Sequence, residues 1–153
     1  MSNHTTKVRT FLWFESGLDE ALDFYSTLFE DFQVLDRNFQ EGKLFTASFK
    51  IAGQEFAALC VPGAPKFNDS ISISVQVDGQ AEVDRLWGAI TLQGEEVGCG
   101  WCRDKWGVAW QITPYQMNSY LEDADKEKRE FAWEALRKMK RIVIADLGLP
   151  RNK

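Results

Sequence analysis

Two stretches of this chain repeat one another, and that repeat limits the fold more than any single residue does. Sliding the sequence by 62 residues lays Gly17 on Gly79, Glu20 on Glu82, Ala21 on Val83, Phe24 on Leu86, Tyr25 on Trp87 and Leu28 on Ile90. In both copies the apolar positions recur at helical spacing, so each stretch reads as an amphipathic helix opened by a glycine. A strand-like run precedes each helix: V-R-T-F-L-W-F at residues 8–14 and the cleanly alternating S-I-S-I-S-V-Q-V at residues 70–77. Three more strand-like segments follow each helix, at residues 32–39, 44–51 and 54–61 in the first copy and about 95–97, 99–104 and 108–113 in the second. Glu41-Gly42 and Ala52-Gly53 punctuate the first set as hairpin turns. The order β-α-β-β-β, written twice, is an α+β arrangement, and a duplication outranks any lone motif.

At 153 residues the chain holds one domain: module one at about 7–61, module two at about 69–114, and a C-terminal helical extension at about 115–147. In the extension, Asp123 or Asp125 can cap a helix running to about Ala145, with Phe131, Ala135, Met139 and Ile142/Val143 on one face. A net charge of −5 and a pI near 5.0 exclude a phosphate-neutralising surface, so no nucleic-acid partner is expected. The basic run Arg137-Lys138-Met139-Lys140-Arg141 suits a helix C-terminus instead. No apolar run reaches the ~18 residues of a membrane span. Three cysteines without a secretory h-region point to a reducing cytoplasm.

The doubled module, together with F-L-W-F (11–14), A-L-D-F-Y (21–25), F-N-D-S-I-S (67–72), E-V-D-R-L-W (82–87), C-G-W (99–101), D-K-W-G-V-A-W-Q-I-T-P (104–114) and K-M-K-R-I-V-I-A-D-L (138–147), resembles the vicinal-oxygen-chelate superfamily. That superfamily includes glyoxalase I, extradiol (dihydroxybiphenyl) dioxygenases and bleomycin-resistance proteins. The finer resemblance is to its PhnB-like branch, often labelled 3-demethylubiquinone-9 3-methyltransferase domain. It implies two tandem modules forming a curved mixed sheet around a cleft, plus a C-terminal helix; members usually pair modules within or between chains, and a homodimer is expected here. In the metal-dependent members the ligands come from the first and fourth strands of each module. Carried over, those places fall on Arg9, Ala57, Ser72 and Gln111. Arg cannot deprotonate, Ala has no donor atom, and Ser and Gln are weak ligands for the usual metals. His4 is the only histidine. No metal and no cofactor are expected.

Strand parity says what lines the cleft instead. If Ser72 faces inward, so do Ser74 and Gln76, while Ile71, Ile73, Val75 and Val77 lie under the helix. Arg9, Phe11 and Trp13 point inward from module one, and Ala109, Gln111 and Thr113 from the last strand. The expected ligand-binding set is Arg9, Phe11, Trp13, Ser72, Ser74, Gln76 and Gln111, a mix suited to a small aromatic or anionic organic molecule. The alternative is that Phe11 and Trp13 fill core and Arg9 pairs with a neighbouring carboxylate.

Cys99-Gly-Trp-Cys102 looks like a redox or zinc motif. On a strand its two cysteines face opposite sides, a zinc site lacks its second pair, and no helix N-terminus follows to lower a thiol pKa. The spacing is read as accidental, leaving Cys99 or Cys102 as a lone thiol without a histidine base. Methyl transfer would call for a Gly-rich strand-to-helix turn in a parallel α/β unit, and none is present. Three functions therefore compete: a metal-independent small-molecule binder, a metal-free enzyme using Glu15, Glu55 or Asp104 as general base beside Arg9, and a scaffold with a filled cleft.

Overall fold

A computed structural model describes residues 6–151. His4 lies outside the described residues. The chain divides into two compact units, meeting at Phe67 and Asn68.

The first unit runs β1 (Thr10–Phe14), α1 (Leu18–Leu28), β2 (Phe32–Gln40), β3 (Lys43–Ile51) and β4 (Gln54–Cys60). Its sheet has the order β1-β4-β3-β2. The last three strands form an antiparallel meander, and β1 joins it parallel to β4. The meander is short-looped because both turns are two-residue hairpins with φ > 0 throughout: Glu41 (50°) and Gly42 (76°), then Ala52 (48°) and Gly53 (84°). That backbone twist matches the right-handed twist of the strands it joins. Helix α1 buries Leu18, Ala21, Leu22, Tyr25 and Leu28 and packs on β2 and β4. Under it the aromatic rings form the core, with Phe49 stacked on Phe56 at 5.4 Å and touching Phe32 and Tyr25 at 5.8 and 6.5 Å. A Phe49→Ala cavity there would cost about 3–5 kcal/mol.

The second unit repeats the plan with β5 (Ile73–Val77), α2 (Gln80–Thr91), β6 (Glu95–Gly98), β7 (Trp101–Arg103) and β8 (Ala109–Pro114), in the order β5-β8-β7-β6. Here too the first strand lies parallel to the last. Thr10 of β1 answers to Ile73 of β5, whereas Gly17 before α1 answers to Gly79 before α2, so the second copy is one residue shorter between strand and helix.

Three local expectations give way to tertiary contacts. Strand β5 starts at Ile73, not at Ser70, and Ile71 is 63% exposed rather than under the helix. Asn68 Oδ1 accepts from Ser70 N at 2.8 Å and holds this segment as a turn. Cys99 and Gly100 are not strand residues but a further two-residue turn with φ of 53° and 85°. The long C-terminal helix breaks early. After α3 (Met117–Leu121), helix α4 (Lys126–Lys138) is capped by Asp125 and stops at Met139; a 3₁₀ turn follows at Ile144–Leu147. The carbonyls of Met139 and Lys140 accept from Cys99 N and Gly100 N at 2.7 and 2.8 Å, bonds a continued helix could not make. Gln80 then clasps the returning chain, donating to Ile142 O and accepting from Ile144 N, both at 2.8 Å. The buried face of α4 is Ala132 and Leu136, one position on from the expected Phe131 and Ala135. With Leu121, Ile142 and Leu147 they make a small separate core.

Candidate functional site on the open sheet faces

Each sheet has one face under its helix and one open face. In the first unit Leu12, Phe14, Ala47, Phe49, Ile51, Phe56 and Ala58 are buried on the helix side. The register pairs Phe11 with Ala57, Ala57 with Ser48, and Lys50 with Glu55. These residues therefore share the open face, together with Trp13. Phe11 is 58% and Trp13 45% exposed, so neither fills core as the alternative reading had it.

Arg9, just before β1, is held to the same face by its contacts. Its Nη1 donates to Ser48 Oγ at 3.0 Å and to Glu55 Oε1 at 3.4 Å. Glu55 is 1% exposed, and its other oxygen accepts from Thr6 Oγ1 at 2.9 Å. Arg9 does pair with a neighbouring carboxylate, yet it stays 39% exposed. All of its bonding within the described residues runs through Nη1, which leaves Nε and Nη2 without a protein partner there.

The open face of the second unit is polar and largely self-satisfied. Ser72 Oγ donates to Gln111 Oε1 at 3.2 Å. Ser74 pairs with Gln111 in the register and Gln76 with Thr113, and Ser74 and Gln76 are exposed. Trp101 and Arg103 lie opposite Gln111 and Ala109, on the same face. Arg103 is spent on two carboxylates: Nε and Nη2 grip Asp69 at 2.8 and 2.5 Å, and Nη1 reaches Glu95 at 2.6 Å. These partners hold its guanidinium pKa above the usual range, first through the Asp69 hydrogen bond.

Of the proposed bases, Glu15 is exposed at the end of β1. Asp104 is buried and structural: Oδ1 accepts from Trp106 N and Val108 N, and Oδ2 from Trp110 Nε1, all at 3.0 Å. No buried side-chain nitrogen or oxygen among the described residues lacks a partner.

The four positions the resemblance assigns to metal ligation do not fit a divalent ion. Arg9 is a cation tied to Glu55, Ala57 offers no donor, and the Ser72 hydroxyl is turned to Gln111. Among the described residues no three His, Cys, Asp or Glu side chains stand close enough to hold a metal. The cysteines are likewise apart in character. Cys99 is exposed on its turn, with Sγ 3.4 Å from Leu136 O. Cys102 is buried, and desolvation, then the charges of Asp104 and Glu96, pushes its thiol up to about 12. A thiol held protonated in this way is a poor nucleophile and a poor ligand.

Ser48, Trp101 and Arg103 lie on these faces but outside the ligand-binding set expected from the sequence. The Ala52-Gly53 turn was a usable signal for Ser48, because a two-residue hairpin fixes Ile51 opposite Gln54 and hence Ser48 opposite Ala57. The parallel register of β1 on β4, which brings Phe11 beside Ala57, has no such local marker.

A family model described as 3-demethylubiquinone-9 3-methyltransferase matches residues 6–113. None of the curated proteins matches significantly. Among solved structures, the PhnB protein of Bacillus cereus is similar at 28% identity and a TM-score of 0.65, over 71% of this chain and 99% of that one. Protein PA1353 of Pseudomonas aeruginosa aligns at 21% identity and a TM-score of 0.60, over 72% and 98%. The genomically encoded fosfomycin resistance protein FosX of Listeria monocytogenes aligns at 15% and 0.53, over 82% and 98%, a likeness of fold alone. The family match stops at residue 113, so α3, α4 and the final 3₁₀ turn lie beyond it.

Proposed function

We propose, from the premise that this chain belongs to the 3-demethylubiquinone-9 3-methyltransferase family, the PhnB-like branch of the vicinal-oxygen-chelate superfamily, that it is a metal-independent binder of a small organic molecule. The observation carrying this reading is the open face of the first sheet, where Phe11 and Trp13 stay exposed beside an arginine fixed from below. Exposed aromatic rings around a few placed polar groups suit a small ligand better than a core. Ser72, Ser74, Gln76 and Gln111 supply hydroxyl and amide groups on the second sheet.

Two alternatives fit less well. General-base catalysis by Glu55 competes with the bonds both its oxygens already accept. Methyl transfer, despite the family's name, finds little footing in Glu15-Ser16-Gly17 and Asp78-Gly79, the links from each unit's first strand to the helix that follows it. Neither is a glycine-rich cofactor turn in a doubly wound sheet.

Native mass spectrometry of freshly purified protein, set against its denatured mass, tests the proposal. A small organic adduct lost on denaturation is expected, and a metal adduct would overturn the metal-independent reading. The same spectrum reads the homodimer that belongs to this proposal. Among the described residues no helix is long and apolar enough to cross a membrane.

A further inference from the structure

We infer that Arg9 is a carboxylate clamp, and that the molecule bound on the first sheet is a monocarboxylate with a flat apolar body. This deepens the small-molecule reading above and rests on it.

Nη1 is committed to Ser48 and Glu55, while the adjacent Nε and Nη2 have no partner among the described residues. Those two N–H groups form the parallel edge that matches the two oxygens of a planar carboxylate. Arg103 makes the comparison within this same chain: its Nε and Nη2 take both oxygens of Asp69, the pairing that Arg9 leaves vacant. The edge is also pre-oriented, because Ser48 and Glu55 are buried and anchor the group from one side. An arginine held in this way loses less rotamer entropy when it binds.

Charge and shape narrow the class. On this face Arg9 and Lys50 stand against Glu55 and Asp36, the last placed opposite Ser48, and Glu15 follows Trp13 at the end of β1, so these groups carry no surplus of positive charge. Such a face holds a single negative charge by hydrogen-bond geometry and offers no surplus field for a dianion. Phe11 and Trp13 follow Arg9 at alternate positions, each about 6.6 Å further along the strand. A carboxylate on Arg9 would therefore lay a flat apolar body across exposed rings.

The test uses benzoate, its uncharged isostere benzamide, and phenylphosphonate, titrated into the full-length protein. Ligand-observed NMR gives affinity, and the Nε–Hε resonance of Arg9 reports on the clamp. Benzoate should bind about tenfold or more tightly than benzamide and shift the Arg9 resonance. Phenylphosphonate should bind more weakly at pH 8 than at pH 6, as it gains its second charge. Arg9→Lys keeps the charge but lacks the fork, and should lose the preference for benzoate. Because an unpaired Glu55 could unfold the unit, Arg9→Met/Glu55→Gln serves as a second variant and should bind both probes equally. Equal binding of benzoate and benzamide to the native protein, or an unmoved Arg9 resonance, overturns the clamp and leaves the broader binder standing. No binding of any probe at millimolar concentration counts against the binder itself.

Discussion

The two units contain one buried carboxylate each on or beside the sheet, and they do opposite things. Glu55 in the first unit holds side chains, Arg9 and Thr6, and so supports a surface that faces outward. Asp104 in the second unit holds backbone, closing the loop that runs from Arg103 to Ala109 around its own oxygens and the Trp110 indole. Both satisfy the rule that a buried charge must be paired or hydrogen-bonded. Only the first leaves a cation with unspent donors. Burial of a titratable group therefore says little about function until its partners are known.

This contrast can be broken experimentally. The largest effect belongs to Asp104. Asp104→Ala would strand buried N–H donors and should cost about 4 kcal/mol of stability, read as a large fall in the urea midpoint. A loss below about 1 kcal/mol would mean water replaces the carboxylate and the loop is not built on it. Glu55→Gln should be milder, about 1–2 kcal/mol, because Arg9 is more than a third exposed and solvent screens the pair. It should also broaden the Arg9 Nε–Hε resonance; if stability falls as far as for Asp104→Ala, Glu55 is a fold residue and the contrast fails. The smallest effect lies in the hairpins. Ala52 sits at φ 48° with open space around Gly53, so Ala52→Asn should gain about 0.5–1 kcal/mol in thermal unfolding. The Cys99-Gly100 turn is closed at its glycine, where a Cβ on Gly100 would lie 2.8 Å from Ile142 Cδ1. A destabilised Ala52→Asn would show that the first unit's turns are as constrained as the second's.

Much of the facing of the candidate residues was legible. Period-two alternation put Phe11 and Trp13 on the face opposite Leu12 and Phe14, and their exposures follow that parity. The same rule put Ser74 and Gln76 on the cleft face, away from the helix, and both are exposed there. It failed at Ile71 and Cys99, where a side-chain cap on Ser70 and a left-handed turn override apolar patterning. Helical periodicity in turn failed past Lys138, where it continues in the sequence but the carbonyls of Met139 and Lys140 go to Cys99 and Gly100.

By itself the sequence determined the duplicated β-α-β-β-β order, the hairpin turns and which strand face is apolar, because these depend on spacing and on φ preferences within a few residues. Only the tertiary structure decided that Arg9 would share one nitrogen between Ser48 and Glu55 while Arg103 would be consumed by Asp69 and Glu95. Ser48 and Glu55 come beside Arg9 through the parallel register of β1 on β4, which no local signal sets. Asp69 reaches Arg103 from a turn 34 residues away, so a guanidinium's availability is fixed by its neighbours in space.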